Sequence, residues 1–453
     1  MPSAFQNLIL NPGNKVAGLD PKCAVAHWGA AMSLYHELWS PPGHADLETG
    51  QQQIRLAQQI GARTPRERDL IEAAGVYFSD TEPAHHAGRA MAYEQAMQRV
   101  AQHFPQDDEV QIFYALSLLG IAPPTDRTHA NQKRAAVILE AIYRRQPDHP
   151  GAAHYLIHAY DSTELAARGL PAARAYSKIA PAAPHALHMP SHIFTRLGLW
   201  DDSIESNSAA RRAAHAQGDV GEELHAMDYL TYAYLQRGRF DDAAHVVADL
   251  HAMGSLGASD FKVGYAATAM PVRLAIEREQ WSEAVALEAL PGAPPHVAAL
   301  AYWARALGHA RLGQPELANP EISQIDACEE RAEAHGDAYW AAQIKVLSKE
   351  ARAWSAGAAG HPDAAVILLR DAAEREDGLE KLPVTPGPII PAREQLGQLL
   401  LMQHRAEQAL GELQQSLRDA PGRRAALKAA LRAAEESGNA AAADSYRRLV
   451  AAN

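Results

Sequence analysis

His154 and His158 are spaced i, i+4 within "HYLIHAYD", and His188 and His192 repeat that spacing within "HMPSHIF", 34 residues further on. On a helix, residues four apart share a face, so each pair would present two imidazoles to one side. Imidazole nitrogen suits zinc, copper and non-haem iron, whereas magnesium and calcium prefer oxygen ligands. A histidine reaches about 6 Å from its Cα to a bound ion, given a metal–nitrogen bond of about 2.0–2.1 Å. If the two helices lie side by side, with axes roughly 8–10 Å apart, all four rings can converge on one divalent transition metal. The chain holds 22 histidines in 453 positions. Four specified positions on such a grid would all be histidine by chance on the order of a few times in a thousand. Two other roles fit the same spacing: a polar ligand pocket without metal, and hydrogen-bonded structural histidines.

Other chemistry-bearing residues fall near this grid. Asp161 follows His158 by three residues, about one helical turn. Aligning Gly198 on Gly238 puts Asp228 opposite His188, Tyr232 opposite His192 and His225 opposite His185. Asp161 and Asp228 are thus candidate acid/base groups or carboxylates that orient a metal-bound histidine. Tyr155, Tyr229, Tyr232 and His225 are candidates for binding substrate. Arg273 matches His192 when "MPVRLA" is aligned on "MPSHIF", and a guanidinium there could take a carboxylate or phosphate. "AVAHWGAAMSLYHELW" adds Trp28 as a groove wall, beside His27, His36 and Trp39. In "EKLPVTPGPIIPAREQLG", four prolines lie between Pro383 and Pro391. Such a run cannot continue a helix. It could close a pocket and bring Glu394 in as an acid/base, or it could be a linker with Glu394 as a first-turn carboxylate favoured by the helix dipole.

The elements that must position these residues are helices. Ala-rich stretches such as "RAALKAALRAAEESGNAAAA" are helical composition, and no run alternates strictly enough to argue for a sheet. "LGLWDDSIESN" (197–207) is echoed by "RGRFDDAAHVV" (237–247) and "REQWSEAVALE" (278–288). Fainter echoes continue to the end of the chain. Each is a short turn leading into a polar helix start, with about twelve residues of helical pattern before it.

Leu197, Gly198, Trp200 and Ile204 in one unit, and Gly238, Phe240, Ala243 and Ala244 in the next, carry a resemblance to the tetratricopeptide repeat (TPR) family. The resemblance implies an all-α solenoid of helix–turn–helix repeats, curved into a superhelix with a concave pocket lined by the first helices of successive units. It covers residues 1–453 as a single domain: degenerate repeats over 20–150, His-rich repeats over 151–290, degenerate repeats over 291–382, the Pro-rich segment 383–391 and C-terminal repeats over 392–453. The segments "HYLIHAYD", "HMPSHIFTRLGLWDDSIESN" and "HAMDYLTYAYLQ" further resemble a subgroup of bacterial TPR proteins, which supplies no reaction.

Charge and cysteine usage set expectations about partners. The formal charge is −12, with no dominant basic cluster, so nucleic acid is expected not to bind. No apolar run approaches a membrane span, and "MPSAFQNLILNPGNKV" lacks the regions of a signal peptide. Cys23 and Cys328 are the only cysteines, which fits the reducing cytoplasm. No phosphate-cradling loop, dinucleotide fingerprint or nucleophile elbow is present. The expectation is a metal-dependent enzyme (hydrolase, lyase or oxidoreductase) acting on a small molecule, with zinc, copper or iron held by His154, His158, His188 and His192. The alternatives are a non-catalytic TPR module for a peptide or small ligand, which could also take a protein partner, and a metal carrier.

Overall fold

The computed structural model describes residues 18–36, 38, 41–254, 256–258 and 260–452. Trp39 and the N-terminal segment read above lie outside them. The described residues form helices joined by short turns, with no strand among them. Most helices pack on their sequence neighbours, and several also touch the next helix but one. This is an all-α array of helical hairpins. The residues fall into two compact units, divided after Ile193.

The first unit runs through α1 (Ala24–Met32), α2 (His44–Ile60), α3 (Pro65–Tyr77), α4 (His86–His103), α5 (Asp108–Gly120), α6 (Ala130–Arg145), α7 (Pro150–Tyr160), α8 (Ala166–Ile179) and α9 (Pro184–His188), into the start of α10 (Pro190–Arg196). Local chemistry sets these boundaries. Thr64 accepts a hydrogen bond from the Glu67 amide with Pro65 in the first turn, and Asp107 does the same for Val110. Helix α7 begins at Pro150 and is buried over nearly its whole length, so its polar residues must find partners inside the protein. Between α9 and α10, Pro190 brings no backbone N–H. The helix breaks there, and His188 ends one piece while His192 falls in the first turn of the next.

The second unit contains α11 (Trp200–Gln217), α12 (Val220–Gln236), α13 (Phe240–Ala252), α14 (Phe261–Glu277), α15 (Trp281–Val285), α16 (Pro295–Arg311), α17 (Pro315–Ala334), α18 (Ala338–Ala358), α19 (Pro362–Asp377), α20 (Ala392–Met402), α21 (Ala406–Asp419), α22 (Arg424–Glu436) and α23 (Ala440–Ala452). Gly198 and Gly238, matched in the repeat alignment, both have left-handed backbone (φ 67° and 68°), which glycine adopts without steric cost. That turn requirement explains why the sequence echoes start on glycine.

The Pro-rich segment 383–391 runs through the interior of this unit: Val384, Thr385, Ile389 and Ile390 are buried. Its backbone oxygens are taken up by two helices. Tyr229 donates to the Pro383 and Thr385 carbonyls, and Arg273 donates to the Pro388 and Gly387 carbonyls.

Candidate metal centre

Three imidazole nitrogens meet at the junction of α7 and α9. His154 Nε2 is 3.2 Å from His185 Nε2 and 3.2 Å from His158 Nε2, and the ligand atoms of the three residues all lie within 4.8 Å of one another. His154 and His185 are buried, and His158 is partly buried. In a tetrahedral site with metal–nitrogen bonds of about 2.0–2.1 Å, neighbouring ligand nitrogens stand roughly 3.3 Å apart. The observed spacing matches that value. The His154 ring is held in place by stacking against Tyr155 and Tyr176, at centroid distances of 5.0 and 5.4 Å.

A second pair adjoins the first group. His188 and His192 bring their Nε2 atoms to 3.0 Å. The His192 ring lies 6.0 Å from that of His158, and the His188 ring 6.3 Å from that of His185. Asp161, at the C-terminal end of α7, accepts a hydrogen bond from His192 Nδ1 at 2.9 Å, with both side chains nearly inaccessible. The carboxylate fixes the tautomer: the proton stays on Nδ1, and Nε2 keeps its lone pair.

Electrostatics favour neutral rings. Burial, followed by the neighbouring imidazoles of His158, His185 and His192, holds His154 well below the ordinary imidazole range. Burial also lowers His158 strongly, reinforced by His192 and His185 and opposed by the Asp161 carboxylate. A neutral imidazole is the form that ligates a metal.

The structure places the sequence candidates as follows. The 34-residue grid set His154 beside His188, whereas its neighbour is His185, which sequence reasoning did not count as a ligand. Tyr155 is buried, and burial raises its hydroxyl well above the ordinary phenol range. Trp28 is buried against Phe113, edge to face at 5.2 Å. His27 is held by Gln53 and the Pro21 carbonyl. In the second unit, His225 is buried beside Tyr229, at a ring distance of 5.3 Å.

Asp228, Arg273, Tyr232 and Glu394 belong to buried ion-pair networks. Arg273 Nε donates to Asp228 Oδ1 at 3.0 Å, and its other nitrogens are taken by Thr385, Gly387 and Pro388. Glu394 accepts from Arg423 Nε at 2.6 Å, and Arg423 also reaches Glu277 and the Tyr232 hydroxyl. Both guanidinium groups lie over the Tyr232 ring, that of Arg273 at 5.0 Å and that of Arg423 at 5.5 Å from its centroid.

No family model matches the chain, and no curated protein matches its sequence. Among solved structures, the chain is similar to an IFIT1 monomeric mutant with Gppp-AAAA, at 13% identity and a TM-score of 0.40, covering 99% of this chain and 94% of that one. It is likewise similar to a human IFIT1 dimer with m7Gppp-AAAA, at 12% identity, TM-score 0.40 and the same coverage. A human IFIT1 dimer with PPP-AAAA matches at 11% identity and TM-score 0.39, covering 99% and 93%. At TM-scores of 0.39 and 0.40 the likeness carries no conclusion about this chain's activity or partners.

One expectation is corrected here. Nucleic acid was set aside on net charge, yet the structures similar to this chain are recorded with capped or triphosphate RNA. The exclusion does not stand, because a net charge of −12 is a property of the whole chain and leaves local surfaces undetermined. Among the described residues no helix is long and apolar enough to cross a membrane.

Proposed function

We propose that this TPR-like repeat protein is a metal-dependent enzyme whose centre lies in the first unit, with His154, His158 and His185 holding one zinc-class divalent ion. The observation that carries the reading is that His154 Nε2 stands 3.2 Å from the Nε2 atoms of both His158 and His185. Three protein ligands with a fourth position left open are the pattern of catalytic rather than structural zinc. An all-nitrogen set also disfavours magnesium and calcium. A divalent ion so held supplies a Lewis acid and lowers the pKa of bound water to about 7. His192, held by Asp161 and one ring away from His158, is placed to accept and return a proton. The reaction class is hydrolysis or a related water-dependent step on a small molecule, reaching the centre on the partly exposed side of His158.

The test is metal analysis of the purified full chain, stripped with chelator and reloaded with zinc, alongside His154→Ala, His185→Ala. The expected result is close to one equivalent of zinc retained after desalting in the parent protein and lost in the double variant, with helical circular dichroism unchanged. Absence of retained zinc, copper or iron in the reloaded parent protein would overturn the metal centre. Full retention in the double variant would overturn the ligand assignment.

A further inference from the structure

The second unit contains a small, partly enclosed cavity of about 50 Å³, room for roughly four water-sized groups. Its walls are aromatic and aliphatic: Trp303 from α16, Trp340 from α18, Tyr265 from α14, and Ile389 and Ile390 of the Pro-rich segment. Two carboxyl groups, Glu350 of α18 and Glu376 of α19, share this space with the His296 imidazole and the Gln343 amide. Neither is needed for the metal centre, which lies in the other unit.

The two carboxyls lack a counter-charge. Among the described residues no lysine or arginine closes an ion pair with either. The nearest guanidinium to act on Glu376, that of Arg423, is engaged by Glu394, Glu277 and Tyr232. Lys349, next in sequence to Glu350, is paired with Asp371 instead. Glu376 accepts one hydrogen bond, from the Ala392 amide at 2.8 Å. Glu350 is 1% exposed, and no hydrogen bond closes on its Oε2. The donors that act on its carboxyl, the fully buried Trp303 and Gln395, are both uncharged. Neutral donors do not replace a counter-charge, and two buried carboxylates so close cannot both ionise unaided. Burial, then the neighbouring Glu376, accordingly pushes Glu350 well above the usual carboxylate range.

We propose that this cavity binds a small organic cation, a methylated ammonium group, held between Glu350 and Glu376 and faced by the Trp303, Trp340 and Tyr265 rings. A bare calcium or magnesium ion fits poorly, since either requires six or more oxygen ligands and, beyond the two carboxyls and Gln343, the walls are mainly aromatic and aliphatic. A quaternary ammonium fits on each count. Its charge is diffuse and weakly hydrated, indole faces attract it, and the space matches its few heavy atoms. The carboxyls supply the specificity for charge, and the aromatic walls supply the specificity for methyl groups over a hydrated inorganic ion.

The probe is choline chloride, titrated into the full chain and followed by calorimetry and tryptophan fluorescence, with dimethylbutanol as its uncharged isostere. Saturable binding of choline is expected, with the isostere at least about tenfold weaker and Glu350→Gln weakened by a similar factor. Glu374→Gln, on the exposed side of α19, should leave binding unchanged. If Glu350→Gln fails to fold, Glu376→Gln provides the same comparison. No saturation with choline at tens of millimolar would overturn the proposal, as would equal binding of the isostere or undiminished binding by both carboxamide variants. Zinc loading of the first unit is read separately, so failure of either centre leaves the other testable.

Discussion

At the scale of single residues, the proposed metal centre includes a supporting group, Asp161, that would not face the ion. Asp161 holds the Nδ1 proton of His192 and, through the Coulomb field, partly offsets the depression of His158. Such outer carboxylates commonly contribute 10–100-fold to metal affinity or activity. Asp161→Asn keeps the shape but loses the charge and the fixed tautomer. Its expected effect is a loss of about 10–100-fold in turnover or zinc affinity, with the zinc stoichiometry at saturating metal unchanged. A variant that bound and reacted like the parent would remove Asp161 from the proton path. The residue types at this site were legible in the sequence: His154, His158, His192 and Asp161 were all named there. Glu350 and Glu376 were not, because nothing in a sequence distinguishes a buried, unpaired glutamate from the many solvated ones on helical faces.

At the scale of elements, the repeat period predicted helix starts well and side-chain neighbours poorly. Pro150 and Pro184 open α7 and α9 and stand 34 residues apart, as the TPR grid requires. The contacts between the two elements run at a separation of 31, for His154 with His185 and for Asp161 with His192. The difference of three residues is close to one helical turn. Packed helices cross at an angle, and side chains lean toward the helix N-terminus, so equal positions in two repeats need not touch. The break at Pro190 adds to this, since His188 and His192 fall on separate helical pieces. The Pro-rich segment shows the same limit: its irregularity could be read, but its burial depends on Arg273, whose donors serve both Asp228 and the segment's carbonyls. Arg273→Met leaves Asp228 buried without its partner and should cost about 3–5 kcal/mol. Adding Asp228→Asn should return part of that loss. Denaturant unfolding of the single and double variants measures both, and an Arg273→Met protein as stable as the parent would show that the pair does not hold the segment.

At the scale of the whole molecule, two compact units each carry one proposed ligand site, and ligand binding should be felt locally. A ligand that binds only the folded form stabilises it by about 2.7 kcal/mol at a hundred times its dissociation constant. Opening of buried helices is cooperative within a unit but need not extend through the entire chain. Zinc should therefore slow amide exchange over residues 150–193, where α7 and α9 supply the ligands. Peptides covering 296–303 and 340–350 should exchange as before. Choline should do the reverse, protecting α16 and α18 and leaving α7 and α9 unchanged. Hydrogen-exchange mass spectrometry on the full chain, with each ligand added alone and then both together, reads the two sites in one experiment. Additive, non-overlapping protection is the outcome expected of independent sites. Protection of α7 and α9 by choline, or of α16 and α18 by zinc, would show that the ligands do not act at the separate positions assigned to them, or that the units open as one.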